Sequence, residues 1–123
     1  MEHRLNEMQA RLNADAYLRR VGRLFSETVL LRTADAELFL EFERGALDRI
    51  VAGPSAKTPW RFGLVTDADA LAQFWQPRPA PGFHDIFGLV KIGRARIEGD
   101  ILCLVKNLAY FKGFMALGRE ATQ

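Results

Sequence analysis

The chain has one cysteine, Cys103, and only two histidines, His3 and His84. A single thiol cannot form an internal disulfide, and nothing in the cysteine usage points to an oxidising compartment. His3, His84 and Cys103 lack metal-ligand spacing, so no metal site is expected. No G-x-G-x-x-G or P-loop pattern follows a strand, which removes the usual phosphate cradles, and no G-x-S-x-G supports hydrolase machinery. No cofactor is expected. A preponderance of one charge is also missing. The 17 Lys and Arg stand against 15 Asp and Glu and are spread from Arg4 to Arg119, which gives nucleic-acid binding little support. The longest apolar stretch, Ile101 to Leu117, is broken by Lys106, Asn107, Lys112 and Gly113. It falls short of the roughly 20 apolar residues of a membrane span, so stable membrane insertion is not expected. The N-terminus, Met-Glu-His-Arg-Leu-Asn, is polar and unlike a secretory signal, so the expectation is a soluble cytoplasmic protein.

With 123 residues, 49% of them hydrophobic and 26% charged, the chain can bury the core of one domain and is not disordered. The expected organisation is a single domain over 1–123, with an N-terminal helical extension at 1–14 and a frayed tail at 119–123.

Leu5, Met8 and Leu12 repeat at helical spacing, Asn13-Ala14-Asp15 interrupts with capping residues, and Tyr17, Leu18, Val21, Leu24 and Phe25 resume the period. This predicts one broken helix or two consecutive ones. Arg19, Arg20 and Arg23 then form a solvated face opposite that stripe. From Glu27 the texture turns to strands: Val29 to Leu31, Ala36 to Glu43 with alternating Leu38, Leu40 and Phe42, Ala46 to Ala52 after Arg44-Gly45, and Trp60 to Thr66 after a breaker-rich loop. Such short turns predict antiparallel neighbours. Thr66-Asp67-Ala68-Asp69 reads as a helix start with Thr66 as a cap, and Ala70, Leu71, Phe74 and Trp75 continue the period. The prolines of Gln76 to Gly82 exclude helix, Phe83 to Lys91 reads as a short helix, and a charged fifth strand follows.

The junction Gly93-Arg94-Ala95-Arg96-Ile97-Glu98-Gly99-Asp100 is the most informative stretch. Gly99 permits a sharp turn and Asp100 can cap a terminal helix. On that helix, at about 100° per residue, Leu104, Leu108, Phe111 and Met115 form one apolar stripe. Leu102, Val105, Ala109 and Ala116 form a second, about a third of a turn away. A helix apolar on two sides needs a cover beyond one sheet: other helices, a partner chain or a bound apolar molecule.

The element order predicts an α+β fold, an about five-stranded mainly antiparallel sheet covered on one face by helices, with an apolar C-terminal helix. In that order, with Thr66 to Asp69 opening a helix and Gly93 to Asp100 closing the fifth strand, the sequence resembles the sterol carrier protein 2 (SCP2) domain family over about residues 15–118. The resemblance implies a hydrophobic tunnel between sheet and helices for a fatty acid, fatty acyl-CoA or sterol. Departures lie at Pro77 to Gly82 and at Phe83 to Phe87, which look bulkier than the family's usual stretch. The expected wall comprises Phe74, Trp75, Phe83 and Phe87 from the middle helices and Leu102, Val105 and Ala109 from the second terminal stripe; taken singly each suits plain core packing better, and the assignment rests on the set.

Three functions compete at this stage. The first is non-catalytic carriage of a lipid-like molecule, with Lys106 or Lys112 meeting a carboxylate at the cavity mouth. The second is a closed cavity with the apolar helix surface meeting another chain, as a homodimer or beside a neighbouring enzyme. The third is a small enzyme using His84, Asp85 or Asp100 for proton transfer. It is the weakest, because adjacent His84 and Asp85 rarely address one atom and no nucleophile accompanies them.

Overall fold

The computed structural model describes residues 1–119. The chain opens with α1 (Glu2–Asn13) and α2 (Ala16–Val21). Leu5, Met8 and Leu12 of α1 are fully buried, so the segment expected as an extension is built into the core. Its polar side locks onto the sheet. Asn13 accepts from the Leu47 N–H at 3.0 Å and donates to the Leu47 carbonyl at 3.1 Å, while Gln9 donates to the same carbonyl at 2.9 Å. The Asp15 carboxylate accepts from the Leu18 N–H and starts α2. That helix ends at Val21, before the apolar period read from the sequence does. Leu24 is consequently 88% exposed, whereas Leu18 and Phe25 are buried. Replacing Asn13 by Ala should cost about 1–2 kcal/mol, because it strips the Leu47 N–H of its partner and leaves the Leu47 carbonyl to Gln9 alone. Urea denaturation measures it, and a loss below about 0.3 kcal/mol would mean water serves Leu47 equally well.

The sheet holds β1 (Thr28–Arg32), β2 (Glu37–Glu43), β3 (Ala46–Ala52), β4 (Phe62–Val65) and β5 (Arg96–Gly99) in the order β3-β2-β1-β4-β5. β1 pairs antiparallel with β2, Leu30 opposite Phe39, and β2 pairs antiparallel with β3 through the Arg44-Gly45 turn. The sheet is mainly antiparallel as expected, and the antiparallel reading of the first four strands is corrected only at β4. That strand lies parallel to β1, with Leu30 opposite Gly63, and carries β5 antiparallel on its far side. Consecutive strands in sequence are here not neighbours in space. The chain leaves β3 at one edge and crosses the sheet before re-entering beyond β1, so turn length says nothing about β4.

That crossing segment covers the face of the sheet away from the helices. Leu30 and Phe39 are buried there although they point away from the main core, and Pro54, Ser55, Thr58 and Trp60 line a recess of about 600 Å³ over Leu30. Trp60 precedes the strand instead of opening it as the sequence suggested. Gly99, with φ +84°, is obligatory beneath it. A Cβ there would stand 2.6 Å from the Arg61 carbonyl oxygen and 2.8 Å from the Trp60 ring.

The opposite face carries α3 (Ala68–Phe74), α4 (Ile86–Lys91), α5 (Ile101–Lys106) and α6 (Leu108–Ala116) together with α1 and α2. The sheet contributes Val29, Leu31, Leu38, Leu40, Phe42, Phe62 and Leu64 to the core between them. The single terminal helix expected from the sequence is two. At Asn107 (φ −114°, ψ 23°) the N–H is shared between the Cys103 and Leu104 carbonyls, and the side-chain amide donates to the Cys103 carbonyl at 2.8 Å. The side chain thus competes for the backbone acceptor that a continuing helix would use.

Candidate functional site

Three helices of the covering layer, α3, α4 and α5, are each set by an aspartate. Asp67 accepts from the Ala70 N–H, Asp85 from the Gly88 N–H and Asp100 from the Cys103 N–H. Thr66, read from the sequence as a cap, instead donates its hydroxyl to the Arg94 carbonyl at 2.7 Å. Arg94 bridges Asp67 and Asp69, both at 3.1 Å, and so ties the start of the β5 segment to the start of α3. Asp85 also meets Lys112 of α6 at 3.4 Å. His84 is exposed, and its neighbour Asp85 is spent on capping and on Lys112.

The Ala70 N–H, and next the Arg94 guanidinium, hold the Asp67 carboxyl below the usual carboxylate range; the Gly88 N–H and Lys112 do the same for Asp85. A depressed folded-state pKa stabilises the protein above the unfolded value and loses that contribution as pH falls through the folded value. The melting temperature should therefore drop as acid is added below about pH 4. Asp85→Asn should lower it at neutral pH and flatten the acid limb. An unchanged acid limb would remove Asp85 from this account.

The expected wall residues divide into two groups. Phe74, Trp75 and Phe83 are buried, and Phe87 is half-buried against the core. The indole N–H of Trp75 donates to the Met115 carbonyl at 3.0 Å. The Arg119 guanidinium stacks over Phe74, 4.6 Å from the ring centre, and donates to the carbonyls of Phe74 and His84 at 2.9 and 2.6 Å. Sequence reading placed Arg119 in a frayed tail. It is a clamp across α3 and the loop before α4, and the remainder of that tail, 120–123, lies outside the described residues. Leu102, Val105 and Ala109 are on the surface instead, Leu102 at 68% and Val105 at 52% exposure. Ile101, which sequence reading missed, joins them at 49%. Its only signal was its place directly after the Asp100 cap. Of α5, only Leu104 is buried.

Aromatic rings fill the space beneath α6. Tyr110 lies 5.4 Å from Phe25 and 5.9 Å from Phe42, and Phe114 meets Phe42 edge-on at 5.1 Å. Phe111 meets Phe62 edge-on at 5.3 Å. Burial pushes the Tyr110 hydroxyl far above its ordinary pKa, and the hydroxyl donates to the Gly45 carbonyl at 2.8 Å. Burial likewise raises the pKa of the half-buried Cys103 thiol, which makes it a poor nucleophile. A recess of about 420 Å³ at the sheet end is lined by Glu27, Glu41, Phe42, Asp48, Trp60 and Arg61 among others, and by none of the expected wall residues.

No protein-family profile and no curated protein matches the chain. Solved structures do. A crystal structure of sterol carrier protein 2 superposes with a TM-score of 0.74 over 98% of this chain and 96% of that one, at 14% identity. The chain has the sterol carrier protein 2 fold. A second match carrying this SCP2 fold is the solution structure of a conserved hypothetical protein, possibly a sterol carrier protein, from Thermus thermophilus. Its TM-score is 0.72 at 13% identity, covering 100% of this chain and 90% of that one. A third is a UbiJ-SCP2 ubiquinone synthesis protein, with a TM-score of 0.61 at 14% identity over 91% and 89% of the two chains. Among the described residues no helix is long and apolar enough to cross a membrane, and no cluster of His, Cys, Asp and Glu is arranged to hold a metal.

Proposed function

We propose that this protein is a single domain that binds a lipid-like molecule with a long apolar chain, without transforming it, and that α5 is the element that yields to admit it. One observation carries the reading. α5 is six residues long and anchored by one buried side chain, Leu104, while Ile101, Leu102 and Val105 face solvent beside the exposed Ala109 of α6. Elements with few buried contacts open at low free-energy cost. When α5 lifts, an apolar chain gains this outer stripe and the part of the core that Leu104 covers, at about 0.8 kcal/mol per buried methylene. Lys106, exposed at the end of α5, is placed to meet a carboxylate or phosphate head. The overlay with structures described as sterol carrier proteins supports an apolar ligand class. Aromatic rings pack beneath α6, so the apolar chain gains room through movement of α5.

Native mass spectrometry of protein purified without added lipid should show a co-purifying lipid, and a fluorescent fatty acid should be displaceable by unlabelled palmitate. Val105→Asp combined with Ala109→Asp should weaken that binding at least about tenfold, because a charge on the stripe must be desolvated by the ligand. Both sites are exposed, so stability should move by less than about 0.5 kcal/mol. Unchanged affinity in the double variant, or no binding by the parent protein, would refute this function.

A further inference from the structure

We infer that β5 is a self-complementary docking edge, through which two copies of this chain join their sheets antiparallel about a two-fold axis at Ile97.

The two edges of the sheet are treated differently. At β3 the Asn13 and Gln9 side chains occupy the backbone groups of Leu47, so the start of that edge is taken by α1. β5 is the other edge. The Asp100 N–H donates to the Arg61 carbonyl at 2.9 Å, in register with the Leu64–Ile97 pairing of the same ladder. Antiparallel ladders alternate, so the inward-bonded positions on β5 are Arg96, Glu98 and Asp100, and Ile97 turns its N–H and C=O outward. An open edge is a template for another strand, and proteins normally protect it with charge, because like meets like when two copies approach.

Here the charge order does the opposite. About Ile97 the strand reads Arg96, Ile97, Glu98. Antiparallel pairing of Ile97 with Ile97 of a second copy sets Arg96 against Glu98 of that copy and Glu98 against its Arg96. Those two pairs fall at the non-hydrogen-bonded positions, where side chains stand closest. Both side chains lie on the sheet face of Arg32, which holds Glu98 at 2.9 Å while Arg96 holds it at 2.8 Å. Glu98 is thus kept ionised and oriented before any partner arrives. The same axis brings the entry of one β5, with Ile92 at 45% exposure, toward the exit of the other, with Ile101 at 49%. Both the polar and the apolar complements therefore come from one chain, which selects a second copy over an unrelated partner.

Sedimentation equilibrium across a concentration series should show a species of twice the 13.9 kDa chain mass. Arg96→Glu and Glu98→Arg should each weaken self-association by roughly tenfold or more, since each places like charges opposite one another twice per dimer. An equimolar mixture of the two variants should recover it, because opposite charges then face each other again. Amide exchange at Ile97 in the unaltered protein should slow as concentration rises, and this reading stands even where Glu98→Arg disturbs the fold by losing Arg32. Lipid binding should survive both substitutions, which separates this inference from the ligand proposal. A 13.9 kDa species at every concentration, a dimer indifferent to both charge reversals, or an Ile97 amide whose exchange ignores concentration would each overturn it.

Discussion

Phe114→Ala is expected to cost about 3–5 kcal/mol of folding free energy, the upper range for truncating a buried aromatic side chain. Phe114 is fully buried and edge-on to Phe42, with Phe111 tilted 6.1 Å away. Those neighbours cannot relax into the vacancy without giving up their own partners, since Phe42 also packs on Phe25 at 5.3 Å and Phe111 on Phe62. Urea denaturation with the slope m held constant measures the loss. The space left is apolar, and an apolar cavity stays dry and accepts small apolar guests. Adding benzene should therefore restore part of the lost stability in the variant and less in the parent. A cost below about 1 kcal/mol would mean that the interior repacks freely and that the ring cluster does not hold α6 to the sheet.

Gly22→Ala should also destabilise, by less and for the opposite reason. The backbone at Gly22 has negative φ, so alanine is not strained there by conformation. A Cβ would instead run into the Tyr110 ring, well inside van der Waals contact. That ring is pinned by Phe25, by Phe42 and by its hydrogen bond to the Gly45 carbonyl, so the helices must separate. Overpacking of this kind costs about 1–3 kcal/mol. Against a Tyr110→Ala background the same substitution should cost at least about 1 kcal/mol less, because the two positions are in direct contact. Strict additivity in that double-mutant cycle would place the clash elsewhere.

Local chemistry was readable where a single residue settles it. Asp100 opens the terminal helix because its carboxylate reaches the Cys103 N–H three positions on, and Asp15 separates α1 from α2 in the same way. The β2 and β3 strands lie within a residue of their sequence-derived bounds, since alternation and the Arg44-Gly45 turn both act over a few residues. The cap at α3 was misassigned by one position. Thr66 and Asp67 are equally good acceptors in isolation, and Arg94, distant in sequence, takes the Thr66 hydroxyl through its carbonyl. The break at Asn107 could have been suspected from an asparagine inside an apolar run, but the periodicity on either side outweighed it.

The candidate site was legible as a composition and not as a place. Two apolar stripes on the terminal segment are a property of the sequence, but which stripe is buried depends on where the sheet lies. Leu104, Phe111 and Met115 of the first stripe went inward, and Leu102, Val105 and Ala109 of the second stayed out. Burial of Phe74, Trp75 and Phe83 was expected on either reading of their role, and only contacts distinguish a clamped core residue from a wall. Arg119 over Phe74 is such a contact, made across 45 positions of chain.

The amino-acid order alone determined the α+β class, the capped helix starts, the two-faced apolar character of the last segment and the Arg-Ile-Glu charge order of β5. These are short-range properties, set by hydrogen bonds and periodicities spanning a few residues. The tertiary structure alone decided that β4 lies parallel to β1, that α1 ties down the start of the β3 edge while β5 forms the other edge, and that aromatic rings fill the interior beneath α6. Each of those depends on segments far apart in the chain competing for one sheet face or one backbone group. That competition is resolved by packing, which no local pattern encodes.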